Sequence, residues 1–350
     1  MSLLFLVALN ANAMKKLGVF VGEKGKWGFF RDIFDDLNRH YQTQVFQEKA
    51  YNIPLLYGRI NRWAHQHGIR STLRGSDLSF FEWASELLVP ASQMPRYCPI
   101  VTRMHSYEIT FWAPKINWNH VDRVILVSRA MQQKFAQFFP DHAAKTAVVY
   151  NGVSFDKFQR PARCDFHFNL GMLCSIHPIK RVYETVILVY KLKQRGLKPH
   201  LHVAGGRWEG GYFDDYYVAI QRAIEKLGLA GDVTLHDHVE DTAGWLRQMD
   251  IFISNSYWEG QQVALLEAMA TGCYSLSHFW DGAEEVLPRQ NIFITEDELL
   301  EKIIEYSEQS DEERHRRQAE MEAIARERFD AERQKAQIRG IIEETCQTSA

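Results

Sequence analysis

At 350 residues, the chain has room for two domains of ordinary size, each with its own core. Its 46% apolar content is that of a soluble globular protein, and no apolar run approaches the ~20 residues of a membrane span. The net charge of -3 divides unevenly: residues 1–160 carry 20 Lys and Arg against 12 Asp and Glu, and the remainder carries 21 against 32. A basic first half suits an anionic partner, either a membrane surface or a charged acceptor. The second half is too acidic for the basic, aromatic-studded stripes of a nucleic-acid binder, and no nucleic-acid partner is expected. Cys98, Cys164, Cys174, Cys273 and Cys346 are odd in number and lack CxxC or Cys/His ligand spacing. That favours reduced thiols in the cytoplasm over a disulfide or zinc framework.

Residues 1–13 mimic a short signal peptide without its basic n-region, and Met14-Lys15-Lys16 reads as a natural start running into a first strand. That strand, Leu17–Val21, ends in Gly22-Glu23-Lys24-Gly25, and helical periodicity follows from Phe29 to Tyr41. Strand, glycine loop, helix is the opening of a doubly wound α/β domain. Further strands are expected at Leu78–Phe81, Pro99–Arg103, Val124–Val127 and Thr146–Tyr150, with helices at Ile53–His67 and Ala130–Phe139. Aromatics crowd this half: Trp27, Phe29, Phe30, Phe80, Phe81, Trp83, Phe111, Trp112 and Trp118. Most fit a core, and those beside Lys24, Lys26 and Arg31 suit an acceptor groove or lipid headgroups. Asn151-Gly152-Val153 closes the half, and residues 154–164 form a polar connector.

A second alternation then begins. Strands are expected at Leu170–Ser175, His200–Ala204 and Val233–His236, and helices at Arg181–Arg195, Phe213–Leu227 and Thr242–Gln248. Asp250-Ile251-Phe252-Ile253-Ser254 reads as a short buried strand, and Val263–Ala270 is rich in helix formers with Gly272 as its C-cap. Glu259-Gly260 sits in the loop between them and Glu267 inside the helix. Backbone N–H groups at such a helix start attract phosphates. Glu267, about two turns beyond Glu259 at ~5.4 Å per turn, is placed to accept hydrogen bonds from a ribose. Glu259 then meets whatever hangs beyond the phosphates, so the pattern suggests a nucleotide-sugar site. Tyr274–His278 is a further strand, and from Glu296 the chain is charged and helical.

The two carboxylates eight residues apart, with the strand before them and Glu267-Ala268-Met269-Ala270-Thr271-Gly272 in register, resemble the Glu-x7-Glu signature of retaining glycosyltransferases of family 4. Val127-Ser128 before Ala130-Met131, and Val148-Val149-Tyr150-Asn151-Gly152-Val153 before Phe158, resemble the family's serine-led helix and its inter-domain segment. The resemblance implies the α/β GT-B fold, two Rossmann-like doubly wound domains facing a central cleft. Residues 14–160 would be the acceptor domain, 161–320 the nucleotide-sugar domain, and 321–350 a terminal helix returning to the first. It implies a hexosyltransferase-type enzyme that moves a sugar from a nucleoside-diphosphate sugar to an acceptor hydroxyl with retention of configuration. No metal or other cofactor is expected, and the sequence has no Asp-x-Asp metal site.

On that resemblance the donor meets Lys180, Arg181, Gly205, Gly22, Gly260, Gln261, Gln262, Val263 and Glu267, and His105 and Glu259 are the catalytic pair. Lys180 matches the family's diphosphate-binding Lys. The Arg expected shortly before it is replaced by Cys174 or Ser175, with Arg181 or His177 as substitutes. His105, just past a strand, resembles the family's His that approaches the reacting sugar from the acceptor side. Gly205-Gly206 either lets the backbone approach the nucleotide or only turns the chain, and Gly22-Glu23 stands where the family has a double glycine. The expected acceptor is a glycan or a lipid-linked molecule at the inner membrane surface. A nucleotide-sugar epimerase of the same fold and a non-catalytic sugar-nucleotide-binding scaffold are the competing readings.

Overall fold

The computed structural model describes residues 14–25, 27–49, 51, 57–160, 165–207 and 211–348. Residues 1–13, Lys26, Cys164, the beginning of the expected Ile53–His67 helix, and the side chains of Lys24 and Phe29 lie outside the described residues. The first half contains β1 (Lys16–Val21), α1 (Gly22–Gly25), α2 (Arg31–His40), β2 (Gln42–Val45), α3 (Tyr57–Arg74), β3 (Leu78–Glu82) and α4 (Leu88–Gln93). It continues through β4 (Ile100–Met104), α5 (Glu108–Phe111), β5 (Arg123–Leu126), α6 (Arg129–Phe138) and β6 (Thr146–Val148). These six strands form one sheet in the order β2-β1-β3-β4-β5-β6. Strands β1, β3 and β4 are buried along almost their whole length, as parallel strands covered on both faces must be. Phe20 stacks on Phe81 at 4.2 Å and Phe30 on Phe80 at 5.9 Å, so much of the aromatic crowding is core. Phe111, by contrast, is exposed.

The second half contains β7 (Asn169–Leu173), α7 (Val182–Gln194), β8 (His200–Ala204), α8 (Asp214–Lys226), β9 (Val233–Leu235), α9 (Thr242–Leu246), β10 (Ile251–Ser254) and α10 (Val263–Ala270). It ends with β11 (Tyr274–His278), α11 (Ala283–Val286), β12 (Ile292–Phe293), α12 (Glu296–Ser307), α13 (Asp311–Arg328) and α14 (Ala331–Thr348). Its sheet has the order β12-β11-β10-β7-β8-β9, with parallel pairing throughout. Numbered from its own first strand, that is 3-2-1-4-5-6, the Rossmann order. Short polar side chains start four of the helices, α6, α9, α12 and α13: Ser128 accepts from Met131 N–H, Asp241 from Gly244 N–H, Thr295 from Glu298 N–H and Ser310 from Glu313 N–H. Helix α10 buries Leu265, Leu266 and Met269 in a cluster that includes Met321, Ala325 and Phe329 of the α13 segment.

Two compact units result: Met1–Ile125 with Ala144–Ala147 and Ile338–Ala350, and Leu126–Ala143 with Val148–Gln337. The last turns of α14 thus belong to the first unit, where the Arg339 guanidinium meets the buried Asp36 carboxylate and Tyr41 donates to Glu343 at 3.5 Å. Among the described residues, Asp36 otherwise keeps weaker contacts with Arg39, at 3.4 Å, and His40, at 3.7 Å. Replacing Arg339 by Ala leaves that buried charge poorly compensated. Urea denaturation of Arg339→Ala should show a loss of about 2 kcal/mol; unchanged stability would mean that this end of α14 does not hold the first unit.

Candidate functional site

In the second sheet β7 lies between β8 and β10, so the chain leaves β7 on one side and later returns on the other. At such a reversal the flanking helices diverge, and a crevice opens at the carboxyl ends of the two strands. The segments leaving those ends are residues 174–181 after β7 and 255–262 after β10. They are tied together: Tyr257 N–H donates to the Ile179 carbonyl at 2.9 Å. Across the same junction the Lys180 ammonium pairs with Glu259 Oε1, which also accepts from Ser256 Oγ at 2.6 Å. Both charged side chains are largely shielded from solvent, at 16% and 13% exposure, which strengthens their attraction relative to a surface pair.

Arg181, next to Lys180, binds the second loop and the start of α12. Its backbone is left-handed, with φ 53°, and its guanidinium donates to Asn255 Oδ1 at 3.1 Å and Glu296 Oε1 at 3.4 Å while lying over the Tyr257 ring at 4.6 Å. Asn255 in turn donates to Thr185 Oγ1 at 3.1 Å. Arg181 therefore latches the two loops and α12. Neither His177 nor Cys174 supplies a further cation. Burial, aided by Lys180, lowers His177 to about 4, so it is neutral near pH 7. Burial raises the Cys174 thiol to about 12 despite Lys180. The cations of the β7 loop are therefore Lys180, paired with Glu259, and Arg181, paired with Glu296.

Gly205 follows β8 with φ 114°, and a side chain there would collide with the Cys174 carbonyl oxygen. The position needs glycine because two loops of the same sheet edge touch. Gly260 and Gln261 are buried before α10, and Gln261 binds Asn151 through both its side chain and its carbonyl, the latter at 3.1 Å. Gln262 occupies the N-cap of α10 without a side-chain cap hydrogen bond, so the amides from Val263 onward keep the positive end of the helix uncapped by it. Gln261 Nε2 and Gln262 Oε1 are buried with no hydrogen-bond partner among the described residues. Glu267 is the fifth residue of α10, ~6 Å from its start. That is just over one turn rather than the two anticipated, because residues 259–262 are not helical. Its carboxyl is only partly exposed, and burial pushes it up to about 7, with Lys157 pulling the other way.

His105 and Gly22 lie in the first unit. Gly22 follows β1, and a side chain there would run into Ser85 Oγ, so its smallness serves packing at the strand end. His105 follows β4, with Nε2 2.8 Å from Glu82 Oε1. The same oxygen accepts from Arg103 Nη1 at 2.9 Å. Glu82 and Arg103 were not anticipated as site residues. The available signal was a Glu at the end of one strand and an Arg next to the end of the following one, at positions that neighbouring parallel strands bring into register.

Residues 167–309, which hold β7 to α12, match the family model described as Glycosyl transferases group 1. No curated protein matches the chain. Among solved structures, Anabaena HepE in complex with UDP and glucose aligns with a TM-score of 0.77 at 20% identity, over 94% of this chain and 99% of that one. Sucrose-phosphate synthase from Thermosynechococcus elongatus gives 0.73 at 13% identity, over 96% and 100%. A glycosyltransferase from Rickettsia africae gives 0.71 at 13%, over 95% and 99%. These likenesses establish the GT-B fold with its two Rossmann-like domains. With a group 1 domain spanning the second sheet, the protein is a glycosyltransferase.

The Glu267 shift has a defined sign. Its folded value of about 7 lies above the ~4.3 of an unfolded Glu. The folded state therefore binds the proton more tightly, and the associated stability is lost as pH rises through about 7. Glu267→Gln, which never ionises, should be more stable than the parent at pH 8 by about 1–3 kcal/mol and indistinguishable near pH 4. Thermal melts across that range check this; a variant less stable at pH 8 would show that the carboxylate is already well solvated.

Proposed function

We propose that this glycosyltransferase is a retaining enzyme of family 4 that binds a nucleoside-diphosphate sugar at the carboxyl ends of β7 and β10. It transfers the sugar to a hydroxyl of a glycan or lipid-linked acceptor. The observation that carries the reading is the Lys180–Glu259 pair at the strand-order reversal, beside the start of α10. When a donor enters, Lys180 turns to the diphosphate and Glu259 to a hydroxyl of the donor sugar. Gly260, Gln261, Gln262 and Val263 bring the α10 amides to the phosphates, and these with Lys180 stabilise the departing diphosphate. Glu267, one turn on, accepts from the ribose hydroxyls, which restores the hydrogen bonds its ionised form lacks. Metal independence belongs to this reading, since Lys180 and the helix start supply the compensating charge. The structure of Anabaena HepE in complex with UDP-glucose makes UDP-sugars the first donors to try.

Calorimetric titration with UDP, GDP, ADP, CDP and dTDP should find a nucleotide that binds. Lys180→Ala should weaken it ~10–100-fold, the size of a lost hydrogen bond to a charged group. Glu267→Ala should weaken it too while changing turnover at saturating donor much less. Affinity unchanged in both variants would move the donor elsewhere. Nucleoside diphosphate release in an acceptor mixture separates a transferase from a scaffold, and change of the sugar without an acceptor would indicate an epimerase. Turnover should survive EDTA; its complete loss, restored by Mg²⁺ or Mn²⁺, would contradict metal independence.

A peripheral contact with an anionic membrane completes the proposal. Arg31 lies over the Trp27 ring at 4.3 Å, but Lys24 and Lys26 lend no described side chain to that patch. Helix α3 offers a stronger one: Arg59, Arg62, Arg70 and Arg74 with no acid between Tyr57 and Arg74, and Tyr57 and Trp63 exposed. Each Arg near an anionic bilayer contributes ~1 kcal/mol, screened over ~8 Å at physiological salt. No helix among the described residues is long and apolar enough to cross a membrane. The protein should sediment with phosphatidylcholine vesicles only when phosphatidylglycerol is added, and salt should release it. Equal, negligible binding to both kinds would leave a soluble acceptor.

A further inference from the structure

A pocket of about 370 Å³ opens where β2, the outermost strand of the first sheet, meets α3. That is at the small end of the ~300–1,000 Å³ of ligand sites. Gln44 from β2, Gln47 and Lys49 from the segment after it, and Trp63, His67 and Ser71 from α3 line it. All of them belong to the first unit. The segment after β2 is fastened to the helix. Asn61 Oδ1 accepts the Tyr51 N–H at 2.7 Å, and Asn61 Nδ2 donates to the Tyr51 carbonyl at 3.1 Å. His65 Nδ1 lies 2.9 Å from Glu48 Oε1. Gly68 lets the Phe46 ring lie close to α3, since a side chain there would come within 3.1 Å of it. The walls of the pocket are thus tied to each other.

The lining combines flat rings with neutral polar groups. Trp63 stacks on His67 one turn further along α3, at 5.1 Å between centroids and 13° from parallel. The stack fixes the indole plane, yet Trp63 remains 65% exposed. Tyr51, also exposed, adds a second ring to the rim. Around them stand the amides of Gln44 and Gln47, the Ser71 hydroxyl and the Lys49 ammonium. No carboxylate lines the pocket among the described residues, so a cationic ligand would find no countercharge. Lys49 is its one Lys or Arg, which gives a polyanion little to bind. A wholly apolar ligand would strip water from the amides and leave them unpaired. A pyranose ring satisfies both kinds of wall. The C–H groups of its flatter face carry partial positive charge and suit the negative face of an indole, while its hydroxyls pair with amides.

We propose that this pocket is a saccharide subsite, in which a pyranose ring stacks on Trp63 and Gln44, Gln47 and Ser71 bond its hydroxyls. It holds a sugar of the acceptor glycan at the outer edge of the first sheet, away from the bond being made. A pre-set indole plane suits that task, because little side-chain freedom is lost when the sugar binds. Arg59, Arg62, Arg70 and Arg74 of α3 do not line the pocket, so it is separate from the basic face offered to a bilayer. That the sugar belongs to the acceptor rests on the transferase reading above; binding of a saccharide here does not.

The test uses the full chain labelled with 5-fluorotryptophan, with the Trp63 fluorine signal assigned by its loss in Trp63→Phe. Maltotetraose, cellotetraose, mannotetraose, chitotetraose and a galacturonic acid trimer are the probes, with sorbitol as the ringless control. At millimolar concentration at least one saccharide should shift the Trp63 signal saturably, and sorbitol should not. Trp63→Ala should weaken that saccharide about tenfold by calorimetry, the size of a lost ring stack, and leave nucleotide affinity unchanged. A Trp63 signal that ignores every saccharide overturns the proposal, as does one that responds equally to sorbitol. So does a response confined to phosphatidylglycerol vesicles, which would give this face to the bilayer, or a Trp63→Ala variant with full saccharide affinity. Nucleotide binding with a silent Trp63 sinks this inference alone. A saccharide shift at Trp63 in a protein that binds no nucleotide would sink the transferase reading and leave the subsite standing.

Discussion

The parallel pairing of β7 with β10 is the constraint on which the site depends. Only Leu170 with Ile251 and Gly171 with Phe252 define that register. One carboxylate reinforces it: Asp250, just before β10, accepts the His167 and Asn169 N–H groups at 3.1 and 2.8 Å at the start of β7. Asn169 answers by donating to the Gln248 carbonyl at 2.9 Å. A slip of one residue would displace the two loops by ~3.3 Å and turn each side chain to the opposite face. Lys180 and Glu259 would then no longer meet. Gly171 serves the same junction, since a side chain there would press on Met249 at 2.7 Å.

Four buried or half-buried carboxylates show how environment divides the work. Burial raises Asp250 although two backbone donors pull it back, and it acts as a structural stitch. Glu82 is overridden by Arg103 and held ionised beneath an imidazole. Glu259 shares its oxygen with Lys180 and Ser256, a pairing that water or a hydroxyl-rich ligand can replace. Glu267 has burial as its main influence and Lys157 as its counterweight, so its charge gains most from new donors. Residue type alone distinguishes none of these; the partners do.

Much of the second half was legible because apolar runs such as Ile251–Phe252–Ile253 and the helix formers of Val263–Ala270 carry strong local signals. Edge strands carried little. Gln42-Thr43-Gln44-Val45 became β2 although all but Val45 are polar and none is buried, because pairing to β1 supplies what its composition does not. Ile292–Phe293 is too short to read, and α4 contains Pro90, which suits a first turn but looks like a breaker. Gly22–Gly25 read as a loop and forms a short helical turn. In the site, the Glu259 and Glu267 spacing was visible, while the latch made by Arg181 was not. Its partners Asn255 and Glu296 lie 74 and 115 residues away, and only the sheet order brings them together. The Glu82–Arg103–His105 cluster was hidden for the same reason, since register across two strands creates it.

Amide hydrogen exchange on the intact chain, with and without a saturating nucleoside diphosphate that it binds, tests most directly where the donor sits. Exchange should slow in residues 174–181 and 255–267, the two loops at the β7/β10 reversal and the first turns of α10. Protection confined to the first unit, with those two segments unchanged at full occupancy, would contradict the site.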